Sequence, residues 1–220
     1  MIDIVHSNCS LSVLDRRSLI VSGAALALSL SPGCRASAVN NVRPNLYQCE
    51  GCDGVFERAA ETLTSVARIG PIDQPGEPLT LTGRVMDPSG RQPVAAVIIY
   101  AYQTNADGFY ADGHTETEWS RRHGNLRGWV KTDSDGRYRF DTIKPAPYPD
   151  QPYPAHIHLT VLEEGQRPYY IDDVVFEGEF GVTPDYRRAM ELRGGNGVGR
   201  LTKSDNGVWQ ASRDIILEAH

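Results

Sequence analysis

Apolar and polar residues follow two different periods along this chain, and the change of period divides it. From Val55 to Val66 the apolar residues recur every three or four positions, as on one face of an α-helix. From Leu79 onward they alternate with a period of two, as expected for half-buried strands. The turn-rich segment from Gly70 to Pro78 separates the two patterns. The sequence therefore predicts a short N-terminal amphipathic helix followed by a strand-rich region.

Short strand-like segments bounded by turn residues continue to the C-terminus. We predict strands at 79–86, 94–102, 129–132, 137–140, 156–161, 174–176 and 215–217. Asp133–Gly136 has the composition of a hairpin turn, and a brief helix is expected over Asp185–Leu192. The fold class predicted is all-β, an antiparallel β-sandwich core with a short N-terminal helix and few other helices. The sandwich domain would span residues 79–220, after an arm and linker at 39–78.

Composition supports this architecture and excludes several kinds of partner. The 220 residues include 21 glycines and 14 prolines, which suits many short strands joined by turns. The formal net charge is -6, so no global basic field attracts nucleic acid. We expect no nucleic-acid partner and no membrane span in the mature form. The sequence leaves open whether the protein forms a homo-oligomer.

The first 38 residues have the order of an export signal. Arg16 and Arg17 precede an apolar stretch from Leu19 to Leu30, and the small-residue pattern at 36–38 follows. The stretch is shorter than the ~20 residues that span a bilayer. The arginine pair is typical of a twin-arginine signal, although a general secretory signal or an N-terminal anchor would also fit. We expect an exported protein, periplasmic or extracellular.

Removal of that segment would leave Cys49 and Cys52 as the cysteines of the mature chain. In an exported protein this pair favours a local disulfide over half of a zinc site, since no second cysteine pair follows.

A histidine pair follows a proline-rich approach. His156 and His158 are two residues apart in a predicted strand, so their side chains share one face and can reach one metal ion. Five prolines between Pro145 and Pro154 stiffen the chain before them. Alone, a His-x-His pair also fits a polar sheet face, and imidazoles suit Zn, Cu, Ni or Fe(II). Carboxylate partners would indicate Fe(II), and phenolate partners would indicate Fe(III).

Two tyrosines are candidates for phenolate ligands. Tyr148 is in the proline-rich segment, and Tyr110 follows the turn-rich residues 105–109. The chain has ten tyrosines, so spacing alone does not select these two.

Several collinear segments together resemble the intradiol ring-cleavage dioxygenases, most of all the chains of protocatechuate 3,4-dioxygenases. The similarity runs from about Leu79 to Glu179. It is carried by these segments: Gly83-Arg84-Val85, residues 102–110, residues 132–140, Ile143-Lys144-Pro145-Ala146-Pro147-Tyr148-Pro149, Pro154-Ala155-His156-Ile157-His158 and Phe176-Glu177-Gly178.

The resemblance implies a non-haem Fe(III) cofactor held by Tyr110, Tyr148, His156 and His158. It further implies that a catechol-type aromatic diol binds the iron as a dianion and displaces the tyrosinate of Tyr148. O2 would then attack the ring carbon, and the ring would open to a muconate-type diacid. An aromatic diol and O2 are thus the expected partners.

One position departs from the family pattern. Members usually carry an arginine three residues before the first histidine, where this chain has Tyr153. A tyrosine supplies no fixed charge at neutral pH. Three interpretations stay open. Arg127 or Arg167 supplies that charge from another part of the fold, or the chemistry is slower or directed to other substrates, or Tyr153 is only a wall of the pocket.

Other residues receive structural interpretations. His114, His123 and the Arg121-Arg122 pair fall in a polar segment expected to be a solvated loop, and Trp129 and Tyr138 are expected in the core.

Two alternatives to the dioxygenase hypothesis stay open. The first is a non-enzymatic, transthyretin-like β-sandwich binding module, which would not need the proline-rich Tyr148 segment. The second is a different metal, Zn(II) or Cu(II), in the same pocket.

Overall fold

The computed structural model describes residues 42–111 and 117–219. The export segment predicted at 1–38 and His114 lie outside these residues. Among the residues described, no helix combines the length and apolar character needed to cross a bilayer.

In residues 42–111 and 117–219, eleven strands form two sheets, with two short α-helices between strands. The strands are β1 Val66–Arg68, β2 Pro78–Met86, β3 Ile98–Gln103, β4 Arg127–Lys131, β5 Arg137–Ile143, β6 His156–Leu162, β7 Tyr169–Phe176, β8 Val198–Gly199, β9 Thr202–Lys203, β10 Trp209–Ser212 and β11 Ile215–Ile216. The helices are α1 Glu118–His123 and α2 Pro184–Ala189. The all-β sandwich is therefore confirmed.

The two sheets have mixed strand directions. The first has the order β1-β5-β2-β10-β9, with β11 also paired to β2, and the second has the order β4-β3-β6-β7-β8. The longer strands pair antiparallel with one another: β2 pairs with β5, and β6 pairs with both β3 and β7. The short strands β1, β8, β10 and β11 join them in parallel.

The turn at Asp133–Gly136 is present, but it does not close a hairpin within one sheet. Asp133 caps the turn, its side chain accepting from the backbone N–H groups of Asp135 and Arg137. The strands then separate, because β4 pairs with β3 in the second sheet and β5 with β2 in the first. The hairpin prediction was wrong because both strands contribute to one core from opposite sheets, Val130 from β4 and Phe140 from β5.

The second sheet is buried on both faces. Along β3, Ile99 and Ala101 face the main core between the sheets, whereas Tyr100 packs with Trp129 and Val55 in a separate outer cluster. Trp129 is 8% exposed and Tyr138 2%, so both are core residues as predicted. The outer cluster matters here because the histidine pair of β6 projects on the same side.

The amphipathic helix predicted over Val55–Val66 is wrong. The region instead contains two 3-10 helices, Cys52–Glu57 and Ala60–Thr62, and then β1. Phe56 and Val66 are more than half exposed, so the apolar spacing does not mark one buried face. A single short helix is marginal without tertiary support, and here pairing of β1 with β5 and contacts with the outer cluster decide the conformation.

The predicted solvated loop around His123 is also wrong. Thr117 and Ser120 form a reciprocal cap that begins α1 at Glu118. The helix ends at His123, whose side chain is buried. Arg122 does lie at the surface, paired with Glu50.

Candidate metal centre

The pleat of β6 places the two histidines together. His156 and His158 project to the outer face of the second sheet, while Ile157 between them is fully buried in the main core. Their register is fixed by β3, where Tyr102 is directly opposite His158.

Two connected segments carry the two tyrosines to the same point. The Thr104 hydroxyl donates to the carbonyl oxygen of Ala146, and the Ala146 N–H donates to the carbonyl oxygen of Asn105. Gly108 has a φ of 84°, and a Cβ there would lie 2.1 Å from the carbonyl oxygen of Pro147. Only glycine permits this close approach. The segments that end in Tyr110 and Tyr148 are therefore held against each other.

The four donor atoms converge on one small volume. The hydroxyl oxygens of Tyr110 and Tyr148 are 2.6 Å apart, and Tyr110 Oη lies 2.8 Å from His158 Nε2. Tyr148 Oη lies 3.2 Å from His156 Nε2, and the two Nε2 atoms are 2.9 Å apart. Ligands about 2.0–2.1 Å from one ion have separations of this order. The four residues singled out in the sequence thus form one cluster.

The outward nitrogens of both imidazoles are bonded to acceptors. His156 Nδ1 lies 2.8 Å from the carbonyl oxygen of Pro154, which can only accept. His158 Nδ1 lies 2.8 Å from a carboxylate oxygen of Asp173. Both Nδ1 atoms must therefore carry the proton, so in neutral imidazoles both Nε2 atoms present lone pairs. Burial lowers the pKa of His156, aided by the nearby His158, and favours this neutral form.

This donor set fits a metal cation, and its phenols fit a ferric ion. Two facing nitrogen lone pairs 2.9 Å apart repel each other unless a positive charge lies between them. Burial raises the pKa of Tyr110 and of Tyr148, so a phenolate there needs an adjacent cation. Imidazole nitrogens accept many transition metals, whereas anionic oxygens favour higher charge.

Asp173 belongs to the cluster as an outer partner. Within the described chain, His156, His158 and Asp173 have potential ligand atoms within 4.8 Å of one another. The Asp173 carboxylate, however, receives hydrogen bonds from His158 Nδ1 and from the Tyr153 hydroxyl, at 2.8 and 3.3 Å. It therefore lies behind His158, in the arrangement typical of metal-ligating histidines.

Tyr153 lies at the rim of the cluster. It is 37% exposed, and its ring meets that of His156 edge-on at 4.9 Å. Burial raises its pKa, with the Asp173 charge adding to the effect, so the group is a neutral phenol.

Neither arginine considered for the missing charge is free to replace it here. Arg127 is ion-paired with Glu57 and lies over the Trp129 ring. Arg167 is exposed in the connection between β6 and β7, at the end of β6 opposite His156.

A stack of rings supports His158 from the side. The Tyr102 ring lies 4.4 Å from that of His158, and the His123 ring lies 3.9 Å beyond Tyr102. His123 Nδ1 bonds the Tyr100 hydroxyl at 2.8 Å, and burial lowers the pKa of His123 to about 4. A Cβ on Gly51 would lie 2.8 Å from His123 Nε2, so the loop of the Cys49–Cys52 disulfide closes the stack.

Sequence reasoning missed this support. The sequence predicts only that Tyr102 ends a strand and that His123 lies in a solvated loop. The disulfide itself is as predicted.

The geometry thus defines a β-sandwich protein in which two histidines and two tyrosines bring their donor atoms together. A family model described as "Dioxygenase" matches residues 54–191, more than half of the chain. The chain belongs to this family, that of the intradiol ring-cleavage dioxygenases.

Curated relatives agree with this assignment. The chain is 30% identical over 173 residues to a hydroxyquinol 1,2-dioxygenase from Rhizobium sp. (strain MTP-10005), covering 66% of this chain and 56% of that protein. It is 35% identical over 110 residues to the beta chain of a protocatechuate 3,4-dioxygenase from Burkholderia cepacia, covering 47% and 46%. The chain thus matches about half the length of these relatives.

Solved structures show the same fold. Catechol 1,2-dioxygenase from Pseudomonas arvilla C-1 aligns with a TM-score of 0.55 and 25% identity over 70% of this chain and 56% of that one. The dioxygenase domain of a carbohydrate-binding fusion protein from Streptomyces sp. SirexAA-E aligns with a TM-score of 0.51 and 20% identity, over 71% and 90%.

Proposed function

We propose that this protein is a non-haem Fe(III) intradiol dioxygenase that cleaves a catechol-type aromatic ring with O2 to a muconate-type diacid. One observation carries the proposal: two imidazole nitrogens with free lone pairs and two phenol oxygens form one cluster, in which neighbouring donor atoms are at most 3.2 Å apart. The relatives named as catechol, hydroxyquinol and protocatechuate dioxygenases support this reaction class.

The four clustered residues would hold the ion. Tyr110, His156 and His158 are bonded or packed on several sides, which suits permanent ligands. When bound, ferric iron would supply the Lewis acidity and electron-accepting capacity that make a catechol reactive toward O2.

Tyr148 has a second task in this proposal. Its ring is half-buried on the proline-rich segment, and its hydroxyl contacts Tyr110 and His156. Burial raises its pKa, so a Tyr148 phenolate released from a cation is a strong enough base to take a proton from a catechol hydroxyl. The proton would reside on Tyr148 Oη until the product leaves.

The binding-module alternative does not require this arrangement. A carbohydrate- or protein-binding sandwich gains nothing from burying two neutral imidazoles whose lone pairs face each other. The donor set therefore favours the enzyme.

We also propose that the protein is exported. The arginine pair at 16–17 and its apolar continuation support this, and the Cys49–Cys52 disulfide is a bond typical of oxidising compartments. Detection of a mature form lacking about 38 residues outside the cytoplasm would test it.

The first experiment is a visible spectrum of the purified protein with bound iron. We expect a red to purple tyrosinate-to-Fe(III) band that shifts when catechol is added, together with O2 uptake and a muconate-type product. A protein that remains colourless after Fe(III) reconstitution would refute the proposal.

Ligand variants make the test specific. His158→Ala should lose the iron and the ring cleavage, and Tyr148→Phe should bind iron more weakly and lose the cleavage. His123→Phe, a matched histidine outside the ligand cluster, should retain the band. Undiminished O2 uptake with catechol in both ligand variants would contradict the assignment.

A further inference from the structure

We propose that Asp173 is a positioning residue of the metal centre, one carboxylate that orients both His158 and Tyr153. The inference rests on the proposed function, because the His158 lone pair that Asp173 directs is a proposed iron ligand. It goes further because it names a residue outside the ligand set and says what that residue controls, namely how strongly His158 donates electrons through Nε2.

A β-bulge in β7 places Asp173 opposite His158. In the pairing of β6 with β7, Ile157 is opposite Val174 and Leu159 is opposite Ile171. His158 therefore faces two residues, Asp172 and Asp173. The extra residue turns the strand locally, and bulges of this kind re-aim side chains beside functional sites. The Asp173 carboxylate reaches His158 Nδ1 as a result.

The two histidines consequently differ in their outer partners. His156 donates to the neutral carbonyl of Pro154, whereas His158 donates to a carboxylate. The two carboxylate oxygens of Asp173 accept from His158 Nδ1 and from the Tyr153 hydroxyl, so neither oxygen is left without a donor. A charged acceptor makes the imidazole a stronger electron donor through Nε2.

The charge of Asp173 also bears on the choice of cation. Two tyrosinates and one carboxylate carry three negative charges, which balance a trivalent ion. The side chain of Asp173 is 15% exposed, so solvent screens this charge only weakly.

The second oxygen of the same carboxylate fixes Tyr153. The Tyr153 hydroxyl donates to Asp173 Oδ2, and its ring rests against those of His156 and Tyr186. The Tyr153 ring is therefore held in place beside the donor cluster, at the position where the family resemblance implies an arginine. Its orientation depends on Asp173.

The test uses the iron-loaded protein and a matched pair of variants. Asp173→Asn keeps an acceptor for His158 but removes the charge, and Asp173→Ala removes both. Asp172→Asn is the control, because the adjacent Asp172 carboxylate accepts instead from the Leu192 backbone N–H.

We expect iron affinity, measured by chelator competition, to fall about 10–100-fold in Asp173→Ala and less in Asp173→Asn. The tyrosinate-to-iron band should move to longer wavelength in both, because a weaker His158 donor leaves the ferric ion more electron-poor. Asp172→Asn should leave affinity and band unchanged. Asp173 variants that match Asp172→Asn in both readouts would overturn the proposal.

A measurement on the unaltered chain covers the case in which the variants do not fold. Imidazole ¹⁵N chemical shifts of the iron-free wild-type protein should report His158 protonated at Nδ1. The other tautomer would overturn the proposal. Failure of the proposed function is distinguishable, because wild-type protein would then show no tyrosinate band.

Discussion

The inner and outer faces of the second sheet come from the same strands and are both buried, yet they differ completely in chemistry. Ile157 and Leu159 of β6 point into an aliphatic core, whereas His156 and His158 point into a layer of rings, hydroxyls and one carboxylate. The inner face gains stability from area removed from water. The outer face holds polar groups, each of which must find a partner. Burial alone therefore does not tell which face is functional.

The largest effect that separates the two faces is expected from a core truncation. Leu159→Ala removes a fully buried inner side chain and should lower the free energy of unfolding by about 2–5 kcal/mol. Iron bound per folded molecule should not change, because Leu159 faces away from the donors. Urea unfolding and metal analysis measure the two quantities. Loss of iron at unchanged stability would contradict the division of roles.

The pH dependence of stability should report on His123, a buried base on the outer face. His123 is buried and its pKa is lowered to about 4, against about 6.5 in the unfolded chain. Between these pH values the unfolded state binds more protons, so stability falls as the pH drops from about 6.5 to 4. The loss should reach about 3 kcal/mol.

Urea midpoints at pH 7 and pH 5 measure this slope. His123→Phe keeps a ring against Tyr102 and cannot titrate, so its slope should be smaller. Equal slopes in the variant and the wild type would show that His123 is not the buried base.

The smallest effect concerns the loop that closes the outer face. Cys49 and Cys52 enclose a very short loop, so replacing both by serine should reduce stability by about 2 kcal/mol. The same change loosens Gly51 over His123, so the tyrosinate band should broaden slightly. Thermal unfolding with and without reductant checks the first effect. A variant as stable as wild type would mean that packing alone holds the loop.

The sequence predicted the features that depend on local period. The alternation in β2 and β6 gave strands close to the observed bounds and placed the two histidines on one face. The prediction of a helix over Val55–Val66 was wrong because the spacing of apolar residues does not show which other segments pack against them. Pairing of β1 with β5 decided that region.

Other features depend on contacts between distant segments. Tyr110 and Tyr148 could be selected only through a family resemblance, since neither lies in a strand that fixes its direction. Asp173 had no signal in the sequence, because its role follows from a bulge that exists only once β6 and β7 have paired. His123 was missed because its cap uses serine at the position where glutamate or glutamine is the usual signal.

The close approach of Gly108 to Pro147 bears on whether folding or metal binding comes first. The Thr104 hydroxyl donates to the Ala146 carbonyl oxygen and the Ala146 N–H donates to the Asn105 carbonyl oxygen, so the tyrosine-bearing segments are joined without any contribution from the metal-binding atoms. The conformational entropy of bringing those segments together is therefore lost during folding. An ion that arrives later meets donor atoms that are already held together, and its binding energy goes into selecting among metals instead of organising the chain.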